Sequence, residues 1–169
     1  ALTIIPAKSQ TGIANGPAYI RSGTYNAHAY MDNGVPHYIK TATTAGGDLY
    51  YWGYRWLIHE TGHNFGLPDL YGWELPDSMF WVGGWGIMGN IAGQSTDHFA
   101  WEKWKFGWIR DDQVDVITKS GQTTHYLSPV ETPGGTKMVV IPVSSSKAYV
   151  VEFRTKQGNN AERATDWGV

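Results

Sequence analysis

The stretch of the chain from His59 to Asp69 reads HETGHNFGLPD and combines two histidines, a glutamate and an aspartate within eleven residues. Its two histidines are four residues apart, so one helical turn places both imidazoles on the same face of a helix. Glu60 is rotated about 100° from His59, so it misses a metal ion there but reaches a water beside that ion. This spacing predicts a zinc site with its general base in place, which is typical of metallopeptidases.

Asp69 is the predicted third ligand. Gly66 can take the left-handed conformation that ends a helix and reverses the chain, and Pro68 cannot continue the helix. A carboxylate oxygen at this point completes a set of two nitrogens and one oxygen, with a fourth position left for water. The alternative third ligand is a glutamate on a later helix, for which Glu74 and Glu102 are the candidates.

The predicted chemistry follows from this ligand set. With His59, His63 and Asp69 holding zinc, Glu60 takes a proton from the zinc-bound water and later passes it to the leaving amine. The ion polarises the scissile carbonyl and stabilises the oxyanion. His98 precedes the second predicted helix and is a candidate second stabiliser of the oxyanion. The alternative for His98 is a surface residue near the helix cap.

Met88 lies in a glycine-rich turn, GGWGIMGN, at residues 83–90. In enzymes with an extended His-Glu-x-x-His motif, such a turn places a methionine beneath the metal ligands. The thioether then acts as a soft apolar floor and does not bind the metal. Met79 is the alternative, although glycines do not flank it.

The composition excludes several classes of function. The formal charge of −2 argues against a nucleic-acid partner, and no apolar run approaches the roughly 18 residues of a membrane span. Cysteine is absent, so disulfides and thiolate ligands are excluded. Low charge and many Gly, Ser, Thr, Asn and Trp residues favour an exported protein. Trp73, Trp81 and Trp85 are predicted in loops, where they can line substrate pockets or suit a carbohydrate-binding module.

Local patterns predict the elements around the motif. Short strands are predicted at Ile4–Ile5, residues 18–20 and residues 37–39, with turns at residues 15–17 and 32–34. A helix is predicted over residues 49–65 with Asp48 as its N-cap. A second helix is predicted over residues 96–106, with a cap at residues 95–97, a stop at Gly107, and Trp101, Trp104 and Trp108 in the core.

The tail of the chain has the pattern of a small antiparallel sheet. Strands are predicted at residues 113–118, 123–127, 137–143 and 148–154, with Gly134-Gly135 as a hairpin turn.

Three stretches, residues 59–71, 84–89 and 100–109, resemble the immune inhibitor A-like secreted metallopeptidases, which belong with the metzincins. Residues 149–154 carry a weaker similarity. The resemblance covers roughly residues 55–110 and implies an exported zinc endopeptidase, made as a proenzyme and often holding structural calcium. It implies zinc ligation by His59, His63 and Asp69, base catalysis by Glu60 and a turn methionine at Met88. Aspartate as third ligand departs from most metzincins but suits this branch and the snapalysin-like enzymes.

No calcium-binding spacing accompanies this resemblance, because the candidate oxygen ligands are scattered along the chain. They are Asp69, Asp77, Asn90 and Asp97.

We therefore expect an α+β fold. It consists of a metzincin-like catalytic domain over residues 1–110 and an antiparallel β extension over residues 111–169. Few residues precede the zinc helix, and relatives continue past Val169, so we expect a segment lacking parts at both ends. The expected protein is a secreted, monomeric, zinc-dependent endopeptidase acting on proteins or peptides. The alternative is an inactive module that is stabilised by zinc or binds carbohydrate.

Overall fold

The computed structural model describes residues 2–5, 18–20, 28–38, 41–72, 81–93, 95 and 97–158. These residues form a mixed α/β structure with three α-helices, a short 3-10 helix and three small sheets. The chain divides into two compact units: Ala1–Gly83 with Ile87–Ala92, and Gly84–Gly86 with Gly93–Val169. The predicted boundary after residue 110 falls within the second unit. No helix in the described ranges has the length and apolar character needed to cross a membrane.

The first unit contains β1 (Leu2–Ile4), β2 (Ala18–Ile20), β3 (His28–Asp32), β4 (Val35–Tyr38), β5 (Thr41–Thr44), α1 (Gly47–Trp52) and α2 (Tyr54–Asn64). Strand β5 lies between β1, to which it is parallel, and β2, to which it is antiparallel. Strands β3 and β4 form a hairpin. The turn predicted at residues 32–34 is confirmed: Asn33 and Gly34 have φ angles of 48° and 80°. The turn predicted at residues 15–17 lies outside the described residues.

The single helix predicted over residues 49–65 is wrong, because the chain forms two helices there. Gly53 separates α1 from α2 with a φ of 64°, a conformation that glycine adopts without the steric cost of a Cβ. Asp48 lies inside the first turn of α1, and Gly46 occupies the N-cap position. Helix α1 buries none of its residues. Helix α2 buries five of them, Arg55, Trp56, His59, Glu60 and Gly62.

The end of α2 is a Schellman motif. The Gly66 N–H donates to the His63 carbonyl at 2.9 Å, and the Leu67 N–H donates to the Gly62 carbonyl at 3.1 Å. Gly66 has the left-handed φ of 88° that this motif requires, as the sequence predicted. Leu67 is buried, so the reversal is anchored by apolar packing as well as by hydrogen bonds. The reversal directs the chain back from the end of α2 towards Asp69.

The second unit contains α3 (Ala100–Lys105), a 3-10 helix (Asp111–Gln113), β6 (Val114–Val116), β7 (Met138–Ser144) and β8 (Lys147–Glu152). Strand β7 pairs with β6 in parallel and with β8 antiparallel. The prediction of an all-antiparallel sheet is therefore wrong. The long connection over residues 117–137 lets the chain return to the end of the sheet at which β6 began, which a tight hairpin does not allow. Residues 123–127 form no strand, so Gly134-Gly135 is a turn but not a hairpin.

Helix α3 is shorter than predicted. Its N-cap is Phe99, so the cap predicted at residues 95–97 is wrong, and the Phe99 N–H donates to the Glu102 carboxylate at 2.8 Å. Gly107, with a φ of 75°, follows the helix end as predicted. Trp104 packs against a core cluster, whereas the predicted burial of Trp101 and Trp108 is wrong, since they are 38% and 57% exposed. The cluster consists of Ala100, Ile109, Val130, Met138 and Val140.

Candidate metal centre

Three ligand atoms of the first unit converge at the end of α2. The Nε2 atoms of His59 and His63 lie 3.2 Å apart. The Oδ1 atom of Asp69 is 3.1 Å from the first of these nitrogens and 3.2 Å from the second. Helical spacing brings the two imidazoles together, and the reversal at Gly66 returns the chain so that the aspartate meets them.

The second nitrogen of each ring is held by a backbone carbonyl. The Nδ1 atom of His59 lies 2.8 Å from the Ile87 oxygen, and that of His63 lies 2.7 Å from the Leu67 oxygen. A carbonyl only accepts hydrogen bonds, so each Nδ1 carries the proton and donates it. In the neutral rings, the Nε2 atoms then present lone pairs towards each other and towards Asp69. This is the arrangement by which surrounding groups orient metal-binding histidines.

The donor set fits a zinc ion. Two lone pairs and a carboxylate oxygen repel one another at these distances unless a positive charge lies between them. The Asp69 Oδ1 atom is buried and has no hydrogen bond of acceptable geometry. Donors around a tetrahedral zinc ion with bonds of about 2.0–2.1 Å stand about 3.3 Å apart, close to the separations found here. In the described part of the chain, these three side chains form the one group able to hold a metal.

The protonation equilibria point to the same need for positive charge. The contact with the Asp69 carboxylate, 3.2 Å from Nε2, raises the pKa of His63 above its ordinary value, although burial opposes this shift. Burial alone would raise the pKa of Asp69, but the contacts and charges of His59 and His63 outweigh it and hold that pKa well below its usual range. Asp69 is therefore ionised near neutral pH. A metal ion, or a proton on His63, would offset this charge.

Glu60 is buried directly beside His59 in α2. Its negative charge contributes to raising the pKa of His63, so the carboxylate acts electrostatically on the ligand group. This is the location expected of a base that serves a water at the metal.

Tyr71 is a residue of the site that the sequence interpretation missed. Its ring stacks on the imidazole of His59, with centroids 6.4 Å apart and planes inclined by 19°. Burial raises the pKa of the Tyr71 phenol, and the charge of Asp69 together with a hydrogen bond to that carboxylate raises it further. The phenol therefore keeps its proton and acts as a donor at the ligand group. Its position two residues after the third ligand was the available sequence signal.

The Met88 segment supports the ligands through its backbone. Met88 and Ile87 are fully buried in the first unit. The Ile87 carbonyl holds the ring of His59, while the Met88 carbonyl accepts the N–H of Leu70 at 2.9 Å. Leu70 follows Asp69 directly, so adjacent carbonyls of this turn restrain two of the three candidate ligands, His59 and Asp69. Met79 lies outside the described residues.

The described contacts of His98 are all in the second unit. Its ring meets Phe106 edge-on at 5.4 Å and tilts against Trp108 at 6.0 Å. Its Nδ1 atom is 3.5 Å from the Glu102 carboxylate. These contacts bury the ring beside the start of α3, which contradicts the alternative of a surface residue. A role for His98 in stabilising the oxyanion stays a prediction.

Among the described residues, the alternative zinc ligand and two of the calcium candidates have hydrogen-bond or ion-pair partners of their own. Glu102 accepts the N–H of Phe99 at the start of α3, and Glu74 lies outside the described residues. Asp97 pairs with Lys103, and the Asn90 side chain accepts the N–H of Ala92 at 2.9 Å. Asp77 lies outside the described residues, so structural calcium stays a prediction.

Comparisons with known proteins return no relative. No family model matches the chain, and neither a curated protein nor a solved structure does.

Proposed function

We propose that this chain carries the catalytic centre of a zinc-dependent endopeptidase of the immune inhibitor A-like, aspartate-ligand metzincin type. The observation that carries the proposal is the triangle of His59 Nε2, His63 Nε2 and Asp69 Oδ1, with edges of 3.1–3.2 Å and both Nδ1 atoms bonded to carbonyls. Glu60, buried next to His59 in α2, supports a hydrolytic site over a structural one, because a zinc site that only stabilises a fold does not need a buried base.

Each residue of the site has one role in peptide hydrolysis. When bound, zinc supplies the Lewis acidity that activates water and polarises the scissile carbonyl. Glu60 takes the proton of the attacking water and delivers it to the leaving amine. The Tyr71 phenol exchanges its hydrogen bond to Asp69 for one to the oxygen on which negative charge develops. The Ile87 and Leu67 carbonyls keep the imidazoles oriented throughout the reaction.

The test separates metal binding from catalysis. The native chain is expected to bind one zinc ion and to cleave casein, and a chelator is expected to stop the cleavage. Glu60→Gln should keep the zinc and lose at least about 100-fold in kcat, the smallest usual effect of a general base. Asp69→Ala should lose zinc and activity together.

Asp112→Asn is the matched control, because it removes an exposed carboxylate from the second unit. It should change neither zinc content nor activity. Full proteolysis by Glu60→Gln would contradict the assignment of the base.

A second candidate is a zinc-stabilised or carbohydrate-binding module. Exposed indoles favour it: Trp81 is 60% exposed and Trp108 is 57% exposed. Flat aromatic surfaces of this kind can stack on sugar rings. Stoichiometric zinc without hydrolysis, together with measurable binding to polysaccharide, would favour this module over the peptidase.

The remaining parts of the proposal concern the setting of the enzyme. We propose export from the cell, action on protein or peptide substrates as a monomer, and no nucleic-acid partner. The low formal charge of −2 supports the last point. Sedimentation of the purified chain tests the oligomeric state.

A further inference from the structure

The guanidinium of Arg154 is the centre of a buried hydrogen-bond cluster in the second unit. Its side chain is only 6% exposed, and its Nε atom pairs with the Glu152 carboxylate. One terminal nitrogen donates to the Trp85 carbonyl at 2.8 Å and to the Ser95 hydroxyl at 2.6 Å. The other donates to the His98 carbonyl at 2.8 Å. One rigid, planar cation thus binds three separate points of the preceding chain.

Two of these points are the ends of one loop. The Ser95 N–H also donates to the Gly84 carbonyl at 3.0 Å, so residues 84–85 and residue 95 are tied together by backbone and by Arg154. Gly86 lies against the ring of Phe99, where an added Cβ would come within 2.4 Å of a ring carbon. Phe99 in turn lies beneath the guanidinium, 5.1 Å from the ring centre.

The middle of the same loop, Ile87–Ala92, belongs to the first unit. It supplies the Ile87 carbonyl to His59 and the Met88 carbonyl to the Leu70 N–H. The connection between these carbonyls and Arg154 is covalent and short, because Ile87 is two residues from Trp85. A chain spans at most about 3.3–3.6 Å per residue, so two residues have little slack to absorb a shift of the Trp85 carbonyl.

We propose that Arg154 is a positioning residue for the zinc site, holding both ends of the loop that presents the Ile87 carbonyl to His59. It acts through the loop and not by touching the ligands. The inference rests on the proposed zinc function. It assigns a role in the site to a residue 95 positions after His59 in the chain.

Lys137 provides a matched control within the same unit. It is only 2% exposed, and its ammonium donates to the Pro129 carbonyl and to the carbonyl and hydroxyl of Thr132. Like Arg154, it is a buried cation that holds a loop by hydrogen bonds. The loop that it holds, residues 129–132, belongs to the second unit, however, whereas His59, His63 and Asp69 belong to the first.

The experiment compares Arg154→Lys with Lys137→Met. It measures zinc affinity by chelator competition, hydrogen exchange of the Leu70 amide in the zinc-free protein, and thermal stability. Arg154→Lys should weaken zinc binding by about 10-fold, the lower limit for partners that orient ligands, and should speed exchange of the Leu70 amide. Lys137→Met should lower thermal stability and leave both other quantities unchanged.

Native zinc affinity and unchanged Leu70 exchange in Arg154→Lys would overturn the inference. An equal loss of zinc affinity in Lys137→Met would also overturn it, because general destabilisation would then suffice. If Arg154→Lys does not fold, Ser95→Ala removes a single acceptor of the guanidinium. It should weaken zinc binding and speed exchange of the Leu70 amide, each by a smaller factor. Native zinc affinity and native exchange in Ser95→Ala would overturn the inference. A native chain that binds no zinc defeats the proposed function, whereas the Leu70 exchange still tests the loop.

Discussion

The two ring nitrogens of His59 and of His63 have different roles, and these roles account for the geometry of the candidate metal site. Each Nδ1 atom donates to a carbonyl, which leaves each Nε2 atom available as a ligand. The Asp69 Oδ1 atom lies 3.1–3.2 Å from both Nε2 atoms, and the carboxylate stays ionised. A positive charge between these three atoms is therefore favourable, and either a metal ion or a proton can supply it.

Competition between the proton and the metal predicts a pH dependence. The pKa of His63 is raised by Asp69, so zinc affinity should fall as pH decreases through that raised value, by about tenfold per pH unit where one proton is displaced. Chelator competition at several pH values measures this trend. Calorimetry in buffers of different ionisation enthalpy should detect proton release on binding, and a pH-independent affinity between pH 6 and 8 would contradict the prediction.

The same pKa shift has the opposite effect on the zinc-free protein. Because the folded-state pKa of His63 is raised, its contribution to stability is complete below the unfolded value of about 6.5 and is lost as pH rises through the folded value. As pH rises, zinc affinity should therefore increase, while the contribution of His63 to the stability of the zinc-free chain, measured by urea unfolding, should decline. The comparison with a His63→Ala variant isolates it from other titrating groups, and an unchanged difference between the two chains across this range would argue against it.

Tyr71→Phe tests the phenol as a donor in the reaction. The ring stacked on His59 is retained, but the hydrogen bond to the Asp69 carboxylate is lost, so zinc affinity should fall by about 10-fold and kcat is measured at saturating zinc. Loss of one donor to the developing oxyanion should lower kcat by about 100-fold or more, with a smaller effect on KM. Tyr126→Phe, at an 87% exposed position of the second unit, is the control and should leave zinc affinity, kcat and KM unchanged. Equal kcat values for Tyr71→Phe and the native chain would exclude this role.

At the scale of elements, the site depends on how α2 ends. Gly66→Ala introduces a Cβ that meets no atom within 4 Å, so its cost is conformational, about 1–2 kcal/mol for the left-handed backbone. Strain at this point should also shift Asp69 and weaken zinc binding. Gly134→Ala carries the same kind of strain, with a φ of 70° and open space for the Cβ. It should destabilise the protein without changing zinc affinity, and equal losses of affinity in both variants would contradict the prediction.

A side-chain hydrogen bond joins α2 to the first sheet. The Asn64 amide donates to the hydroxyl of Thr43 at 2.6 Å, and its own oxygen is buried without a hydrogen-bond partner. Thr43→Val should leave the whole amide unsatisfied and lower the free energy of unfolding by about 1–3 kcal/mol. Thr43→Ser keeps the hydroxyl and should recover most of this loss in chemical denaturation. A valine variant as stable as the native chain would show that the bond contributes little.

At the scale of the whole molecule, zinc should stabilise one unit more than the other. The three ligands belong to the first unit, so binding should favour its folded form by about 2.7 kcal/mol at a free zinc concentration 100 times Kd. Hydrogen exchange with and without zinc should show slowed amides in α2 and smaller changes in the pairing of β7 with β8. Equal slowing in both units would indicate that they unfold together.

The sequence predicted the convergence of His59, His63 and Asp69 better than it predicted the helices and strands around them. The spacing of His59 and His63 and the glycine at residue 66 act within one or two helical turns, so local rules suffice for them. The break at Gly53 was missed because glycine is tolerated inside helices, and only the tertiary structure shows which conformation it takes. The parallel pairing of β6 with β7 was missed because pairing direction depends on the path of the connecting chain.

Local sequence accounts for the helical spacing of His59 and His63, for the reversal at Gly66 and for the presence of side chains that can bind a metal. These properties arise from backbone geometry over a few residues. Three further features depend on long-range packing. The Ile87 carbonyl orients His59 from 28 positions away, Tyr71 stacks on that ring, and Arg154 holds the ends of the loop between Trp85 and Ser95. Every residue carries a carbonyl, so no local pattern indicates which one will meet a distant imidazole after the chain has folded.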